Sequence, residues 1–410
     1  MDKRPEAMTD QDKLIALQMS IKDKTRTLDI LTSIFLLIII FVFTILILVL
    51  PDKEFSEQEN RYLQKAPSFT LERLTNGKFT SEISGYFSDQ FPGRDIFVGA
   101  KSVAEIGMFK QQNNSVTLGT DGYIIKRIDY PNFDTISKNV NSMSIFGKAM
   151  EELGVPYTIA MAGRNVDVLQ RYLPSLYPNF HSDELWQHFE SALSADTYTS
   201  YVNLKNPLKT IIDSDTNEQI YYKTDHHWTT LGAYYAYVEI MNSFGEEPLS
   251  LSDFEIERVS DEFYGTTWSS AGMKWVKPDT MEYFRYEGDE YYITEIVDTG
   301  RIIEGFYDRE QLSKKDKYSS FIGGNNSRVD IYHSEGTTRE KILLMKDSFA
   351  HSLAPFLAYH YDLVILDLRY YKSSVKELVI EENIDRVLIM NNIDNISETN
   401  VYGILQLGLN

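Results

Sequence analysis

The first long apolar run in the chain, Leu28–Leu50, reads LDILTSIFLLIIIFVFTILILVL, 23 residues with Asp29 near one edge as the only charge. A helix of that length crosses a hydrocarbon layer of about 30 Å. The run is apolar on every face and ends in Val-Leu-Pro-Asp-Lys, without the small-residue cleavage site of a signal peptide. The pattern therefore predicts an uncleaved transmembrane anchor over 28–50. Residues 51–68 are polar and charged and read as a stalk. From Phe69 to Ala104 the period is helical around the segment GYFSDQFPGRD (Gly85–Asp95). VTLGTDGYII (Val116–Ile125) alternates about a Gly-Thr-Asp-Gly turn, which predicts a hairpin. Val140–Leu153 has the spacing of an amphipathic helix, and PYTIAMA (Pro156–Ala162) is a compact run of strand type.

The later half repeats a strand-then-helix theme. KILLM (Lys341–Met345), DLVILDL (Asp362–Leu368) and DRVLIM (Asp385–Met390) have buried-strand character, and helix-capable stretches separate them. Such alternation predicts an α/β domain, a parallel sheet flanked by helices, spanning 69–410. Residues 249–339 break the theme. They are polar, Tyr-rich and punctuated by glycine, as expected of an insertion with its own strands that forms a wall or lid.

Charge adds topology. Lys13, Lys22, Lys24 and Arg26 precede the span, whereas Asp52, Lys53, Glu54, Glu57 and Glu59 follow it. The excess of Lys and Arg before the span predicts a cytoplasmic tail, 1–27, one membrane crossing and a domain outside the cell. Sixty acidic against 40 basic residues, a net charge of -20, argue against a nucleic-acid partner. With no cysteine, disulfides, thiolate nucleophiles and Cys-ligated metals are excluded. The 27 Tyr and 22 Phe admit two readings, ordinary core material or rings that stack on sugars.

Two segments carry the candidate chemistry. YYKTDHHWTTLGAYYAY (Tyr221–Tyr237) holds Asp225, His226, His227 and Trp228; ILLMKDSFAHS (Ile342–Ser352) runs a buried-type strand into Asp347 and Ser348. In a parallel sheet the C-terminal ends of strands face the ligand crevice. A serine there, with helix-start N–H groups beside it, is placed as a nucleophile with an oxyanion hole. It needs a base, which histidine supplies, and a carboxylate to fix the histidine tautomer. Asp-x-His offers both from one turn. Each residue also has a structural reading: Asp225 and Ser348 as helix caps, the histidines as surface groups. Asp225, His226 and His227 could alternatively be metal ligands, although no HxH, HExxH or Cys partner accompanies them, and neither metal nor cofactor is expected.

At these residues the chain resembles the DHHW family, relatives of the alginate-type O-acetyltransferases within the SGNH hydrolase-like superfamily. The match is carried by DHHW at Asp225–Trp228, the Lys-Asp-Ser-Phe segment at Ser348, GYFSDQFPGRD, LGTDGYII and VILDLRYY, in that family's order. The resemblance implies Ser348 as nucleophile, His227 as general base and acid, and Asp225 as orienter, with His226 in a variable position. It implies a polysaccharide acceptor, including secondary cell-wall polysaccharide in some relatives. It also implies an acetyl donor supplied by a membrane-bound O-acyltransferase. The usual small residue before Asp-Ser is Lys346 here, a long cation expected to affect the oxyanion pocket. Asn391 or Asn392, past a strand end, is a candidate oxyanion donor, or else a turn residue. Arg369 is a candidate for steadying the oxyanion or a glycan carboxylate, or else part of a surface ion pair. Tyr370 is a candidate for the sugar groove. The expected function is ping-pong acetyl transfer, and the alternatives are acetyl-ester hydrolysis with water as acceptor or non-catalytic glycan binding and assembly.

Overall fold

The computed structural model describes residues 9–56, 61–127, 130–175, 177, 181–194, 199–214, 216–336 and 338–409. They fall into two compact units, one holding residues up to Ser56 together with Arg61–Phe97, the other Val98–Asn410. The first unit opens with one helix, Asp10–Val49, in which Leu17–Val49 is long and apolar enough to cross a membrane. Stalk residues 57–60, with the Glu57 and Glu59 used to orient the span, lie outside the described residues. In the GYFSDQFPGRD segment, Asp89 accepts from the Gln64 N–H and Gln90 from the Lys53 N–H, both at 2.9 Å. These residues thus tie the chain just after the anchor to this unit's own helix.

In the second unit eight strands form the main sheet: β1 (Tyr157–Ala162), β2 (Ser200–Asn203), β3 (Tyr292–Ile296), β4 (Arg301–Glu304), β5 (Arg328–His333), β6 (Lys341–Lys346), β7 (Asp362–Leu366) and β8 (Arg386–Asn392). Their order across the sheet is β4-β3-β5-β7-β6-β8-β1-β2. The segment from β7 to β2 is parallel throughout, with Ile342 opposite both Leu363 and Arg386, and Val387 opposite Tyr157. These strands are near-continuous aliphatic runs because helices cover both faces. Alternation sends Ile342, Leu344, Leu388 and Met390 into one core, and Leu343, Met345, Val387 and Ile389 into the other. Helix Thr230–Phe244 contributes Ala233, Tyr237 and Ile240 to the first core. Helix Phe133–Leu153 contributes Val140, Met143 and Phe146 to the second.

Residues 249–339 do more than wall the site, to which they contribute Thr266, Thr267 and Ser270. They supply β3, β4 and β5, which extend the sheet by antiparallel pairing, because Ile296, Ile303, Val329 and Ile331 all feed the first core. They also supply a hairpin, Glu255–Phe263 with Asp279–Arg285, and a short helix, Thr266–Ala271. From β1 the chain winds outward to β2, and from β6 it winds the opposite way to β7. The carboxyl ends of β1, β6 and β8 therefore meet at the point where winding reverses, where open α/β sheets bind ligands.

Candidate active site

The histidine loop is closed by a bridge between Tyr221 and Trp228, with the Thr229 N–H bonded to the Ile220 carbonyl. Thr229 caps the following helix through its side chain, which frees Asp225 from the capping role open to it in the sequence. Asp225 instead folds back on its own turn. Its Oδ1 accepts from the His227 backbone N–H at 3.0 Å and lies 2.5 Å from His227 Nδ1. Its Oδ2 accepts from the Thr266 N–H at 2.6 Å and the Thr266 hydroxyl at 3.0 Å. Burial works against the Asp225 charge, but the His226 and His227 imidazoles and the bonds from His227 hold its carboxyl well below the usual carboxylate range. Gly265 makes the approach possible, since a Cβ there would stand 2.2 Å from Asp225 Cβ.

Ser348 lies one residue past β6, after Asp347, and opens a 3-10 turn, Ser348–His351. Asp347 fixes that turn: its Oδ1 accepts from the Phe349 N–H at 2.9 Å and its Oδ2 from the Asn392 N–H at 2.6 Å. The carboxylate therefore stitches the ends of β6 and β8 together. The Phe349 N–H, which sequence placed beside the nucleophile, is already committed to this cap. His227 Nε2 stands 2.7 Å from Ser348 Oγ. With Nδ1–H turned to Asp225, Nε2 is left to accept from the serine hydroxyl. Trp228 is wholly buried, and its Nε1–H reaches the Phe349 carbonyl at 2.9 Å and Ser352 Oγ at 3.1 Å. The indole thus joins two segments 121 residues apart. On the other side the Tyr318 ring stacks on the His227 imidazole, 4.2 Å between centroids and 12° between planes.

Residues 201–366 match the DHHW protein family, and residues 118–281 match the family described as SGNH hydrolase-like domain, acetyltransferase AlgX. Over those residues the chain is similar to DHHW proteins and to SGNH hydrolase-like acetyltransferase domains. It is similar to the probable alginate O-acetylase AlgJ of Azotobacter vinelandii, 22% identical over 171 residues, 39% of this chain and 41% of the relative. The chain thus spans less than half the length of that curated relative. Among solved structures, a DHHW family protein from Eubacterium siraeum shares the fold with a TM-score of 0.57 at 23% identity, over 72% of this chain and 96% of that one. PatB1 of Bacillus cereus, solved with a sulfonyl adduct, shares it with a TM-score of 0.60 at 20% identity, over 70% and 97%.

Beside the DHHW loop lies a crevice of about 240 Å³, lined among others by Arg164, His226, Thr266, Phe349, Asn392 and Asp394. His226 points its Nδ1 at the Thr266 hydroxyl, 2.7 Å away. Strand parity decides between the two asparagines named from the sequence. Asn392 faces the crevice, where its Nδ2 donates to the Gly163 carbonyl at 3.0 Å, whereas Asn391 points to the opposite face. Asn391 and Arg369 line a separate, small polar cavity with Lys346, Asp347 and Asp367. The Arg369 guanidinium is held there by Asp367 (2.8 and 2.6 Å) and Asn325 (3.1 Å), which is the ion-pair reading. Tyr370 is half exposed beneath the Arg369 guanidinium, 5.5 Å from the ring centre, and is not among the crevice-lining residues.

Lys346 also differs from expectation. Its side chain is buried away from Ser348, donating to His351 Nε2 at 2.7 Å and lying 3.3 Å from Asp367 Oδ2. Burial brings its pKa down to about 8, against the pull of Asp367. Asp225, His226 and His227 bring one ligand atom each within 4.8 Å of one another, a spacing a metal ion could use. Those atoms already bond to each other, to Ser348 and to Thr266, so an ion would displace the relay it sat on. Thr266 and Tyr318 carried no local signal in the sequence. Arg164 and Asp394 did carry one: each lies just past a strand that ends at the crevice.

Proposed function

We propose that this protein transfers acetyl groups to hydroxyls of an exported cell-surface polysaccharide through an acetyl-serine on Ser348. One observation carries the reading: Asp225 and His227 form a continuous hydrogen-bonded relay with Ser348, 121 residues further along the chain, and their neighbours His226 and Phe349 line the adjoining crevice. Ser348 Oγ gives its proton to His227 Nε2 and attacks the acetyl carbonyl of the donor. Collapse of the tetrahedral adduct breaks the donor's ester bond, and His227 returns the proton to the departing oxygen. An acceptor hydroxyl then enters, loses its proton to His227 and attacks the acetyl-serine. The product ester leaves as Ser348 Oγ recovers the proton. Asp225 stays ionised throughout, fixing the Nδ1–H tautomer and stabilising the transient imidazolium.

The similarity to acetyltransferase and O-acetylase families supports an acetyl group and a polysaccharide acceptor. In this reading the apolar helix anchors the chain with its N-terminus in the cytoplasm, and a membrane-bound O-acyltransferase supplies the acetyl group. With water in place of sugar the same relay is an esterase, so transfer requires that the acceptor exclude water. The test is incubation with an activated acetyl ester, with and without oligosaccharide acceptors, followed by mass analysis of the protein and sugars. We expect an acetylated Ser348 peptide and acetylated sugar, both lost in a folded Ser348→Ala variant. Transfer that survives in Ser348→Ala refutes the reading, and acetate as the sole product with every acceptor converts it to an esterase. Protease added outside intact cells is expected to release the catalytic unit; protection of that unit refutes the topology.

A further inference from the structure

Arg164 follows β1 and is buried to 2%, yet only part of its guanidinium is engaged. Nε and Nη2 both donate to Asp167 at 2.8 Å. Asp167 is itself held from behind by Ser182 and the Trp186 indole. The remaining nitrogen, Nη1, has no hydrogen-bond partner. It faces Asp394, just past β8, whose Oδ1 lies 3.7 Å away and also lacks a partner. That separation suits an ion pair and is too long for a hydrogen bond. A buried donor and a buried acceptor, each unsatisfied and facing one another, are costly to maintain. Both residues line the crevice beside the DHHW loop.

An oxygen that bonds to both atoms at about 2.8 Å fits this gap by sitting to one side of the line joining them. A group that completes both bonds must accept from the guanidinium and donate to the carboxylate through the same atom. A hydroxyl does this, whereas an ionised carboxylate or phosphate oxygen only accepts and has no proton to give Asp394. Asp394, 24% exposed, is the movable partner, while Arg164 is clamped by Asp167. Lys126 contributes a second cation to the wall and Phe349 an apolar surface, a mixture suited to a pyranose ring.

We propose that Arg164 and Asp394 form an acceptor subsite that grips one hydroxyl of the incoming sugar, neighbouring the hydroxyl that receives the acetyl group. The proposal rests on the transferase reading above. Here the Arg164 guanidinium donates to that hydroxyl and the Asp394 carboxylate accepts from it, with Asp167 holding Arg164 in place.

The experiment measures the partition of the acetyl group between sugar and water. It uses the full-length protein, an activated acetyl ester, a cello-oligosaccharide and the monodeoxy derivatives of that oligosaccharide. In Asp394→Ala and Asp394→Asn the transfer-to-hydrolysis ratio is expected to fall about tenfold, carried by a higher acceptor KM, as for loss of one charge-assisted hydrogen bond. One monodeoxy acceptor is expected to show the same loss with wild type and no additional loss with Asp394→Ala. Arg164→Lys, which keeps charge but not the fork, is expected to fall between. A wild-type partition in Asp394→Ala, or a deoxy penalty that persists in it, overturns the subsite. If wild type forms no acetyl-Ser348, the transferase reading fails separately. Calorimetric binding of the same oligosaccharide to wild type and Asp394→Ala then decides the subsite, equal affinities overturning it.

Discussion

Trp228→Phe tests whether the buried indole holds the relay together. The substitution keeps an aromatic ring and removes the Nε1–H that bonds to the Phe349 carbonyl and Ser352 Oγ. Ser352 Oγ keeps the Tyr318 hydroxyl at 3.0 Å, whereas the Phe349 carbonyl loses the indole donor. An orphaned buried acceptor costs about 1–3 kcal/mol, and the smaller ring leaves a void that adds to it, so a loss of about 2–4 kcal/mol is expected. For a unit of about 300 residues that corresponds to a fall in Tm of roughly 3–6 °C. The effect on rate has a separate origin. The indole sets the distance between the DHHW loop and the Ser348 turn, and a misplacement of about 1 Å between reacting groups costs up to 10²-fold. Activated-ester turnover at 15–20 °C below the variant's own Tm is therefore expected to fall about 10- to 100-fold, with Tm measured on the same samples. Ser348→Ala is the converse control, inactive with a Tm near wild type. A Trp228→Phe protein that is destabilised as calculated but turns over at the wild-type rate would refute the argument that the indole aligns His227 with Ser348.

Asp225→Asn puts an amide where His227 Nδ1–H needs an acceptor, or else turns its NH2 toward the Thr266 N–H. Turnover is expected to drop on the order of a thousandfold or more, read as kcat, with His226→Ala losing less than tenfold. Burial lifts the Asp394 carboxyl to about 7 against the pull of Arg164. Its contribution to stability is whole below the ordinary value of 3.8 and is lost as pH rises through about 7. The Tm of wild type minus that of Asp394→Asn should therefore shrink between about pH 4 and 8, and a difference that grows contradicts the assignment. Exhaustive chelation should leave ester turnover unchanged; loss restored by zinc would assign a metal to the Asp225, His226 and His227 group.

What the sequence disclosed follows the range over which each signal acts. Strands β1, β6, β7 and β8 were legible because both faces are buried, leaving short unbroken apolar runs between turns. Strands β3 to β5 were expected only as unplaced strands of an insertion, because burial alternates in them, as in Tyr292–Ile296, and leaves no unbroken apolar run. Asp225 and His227 stand two residues apart and announce themselves; Ser348 is marked by the strand it follows. Thr266 and Tyr318 reach the relay only through tertiary folding, so nothing nearby in the chain flags them. Asn391 and Asn392 differ by one step of strand parity, which composition cannot resolve. Lys346 reads as a long cation beside the oxyanion pocket until the fold provides Asp367 and His351 to receive it.

Thr266 has two obligations. Its backbone and hydroxyl hold the outer oxygen of Asp225, while it and its neighbours Thr267 and Ser270 form one wall of the crevice. The crevice wall and the brace that orients the histidine are therefore one short piece of chain, seated against Asp225 by a glycine that tolerates no Cβ. If the crevice takes a glycan, selection for a new one could vary exposed Ser270 more freely than buried Thr267. It could not shift the segment to enlarge the wall without also detuning the base, so acceptor range and catalytic rate should evolve under a shared mechanical constraint.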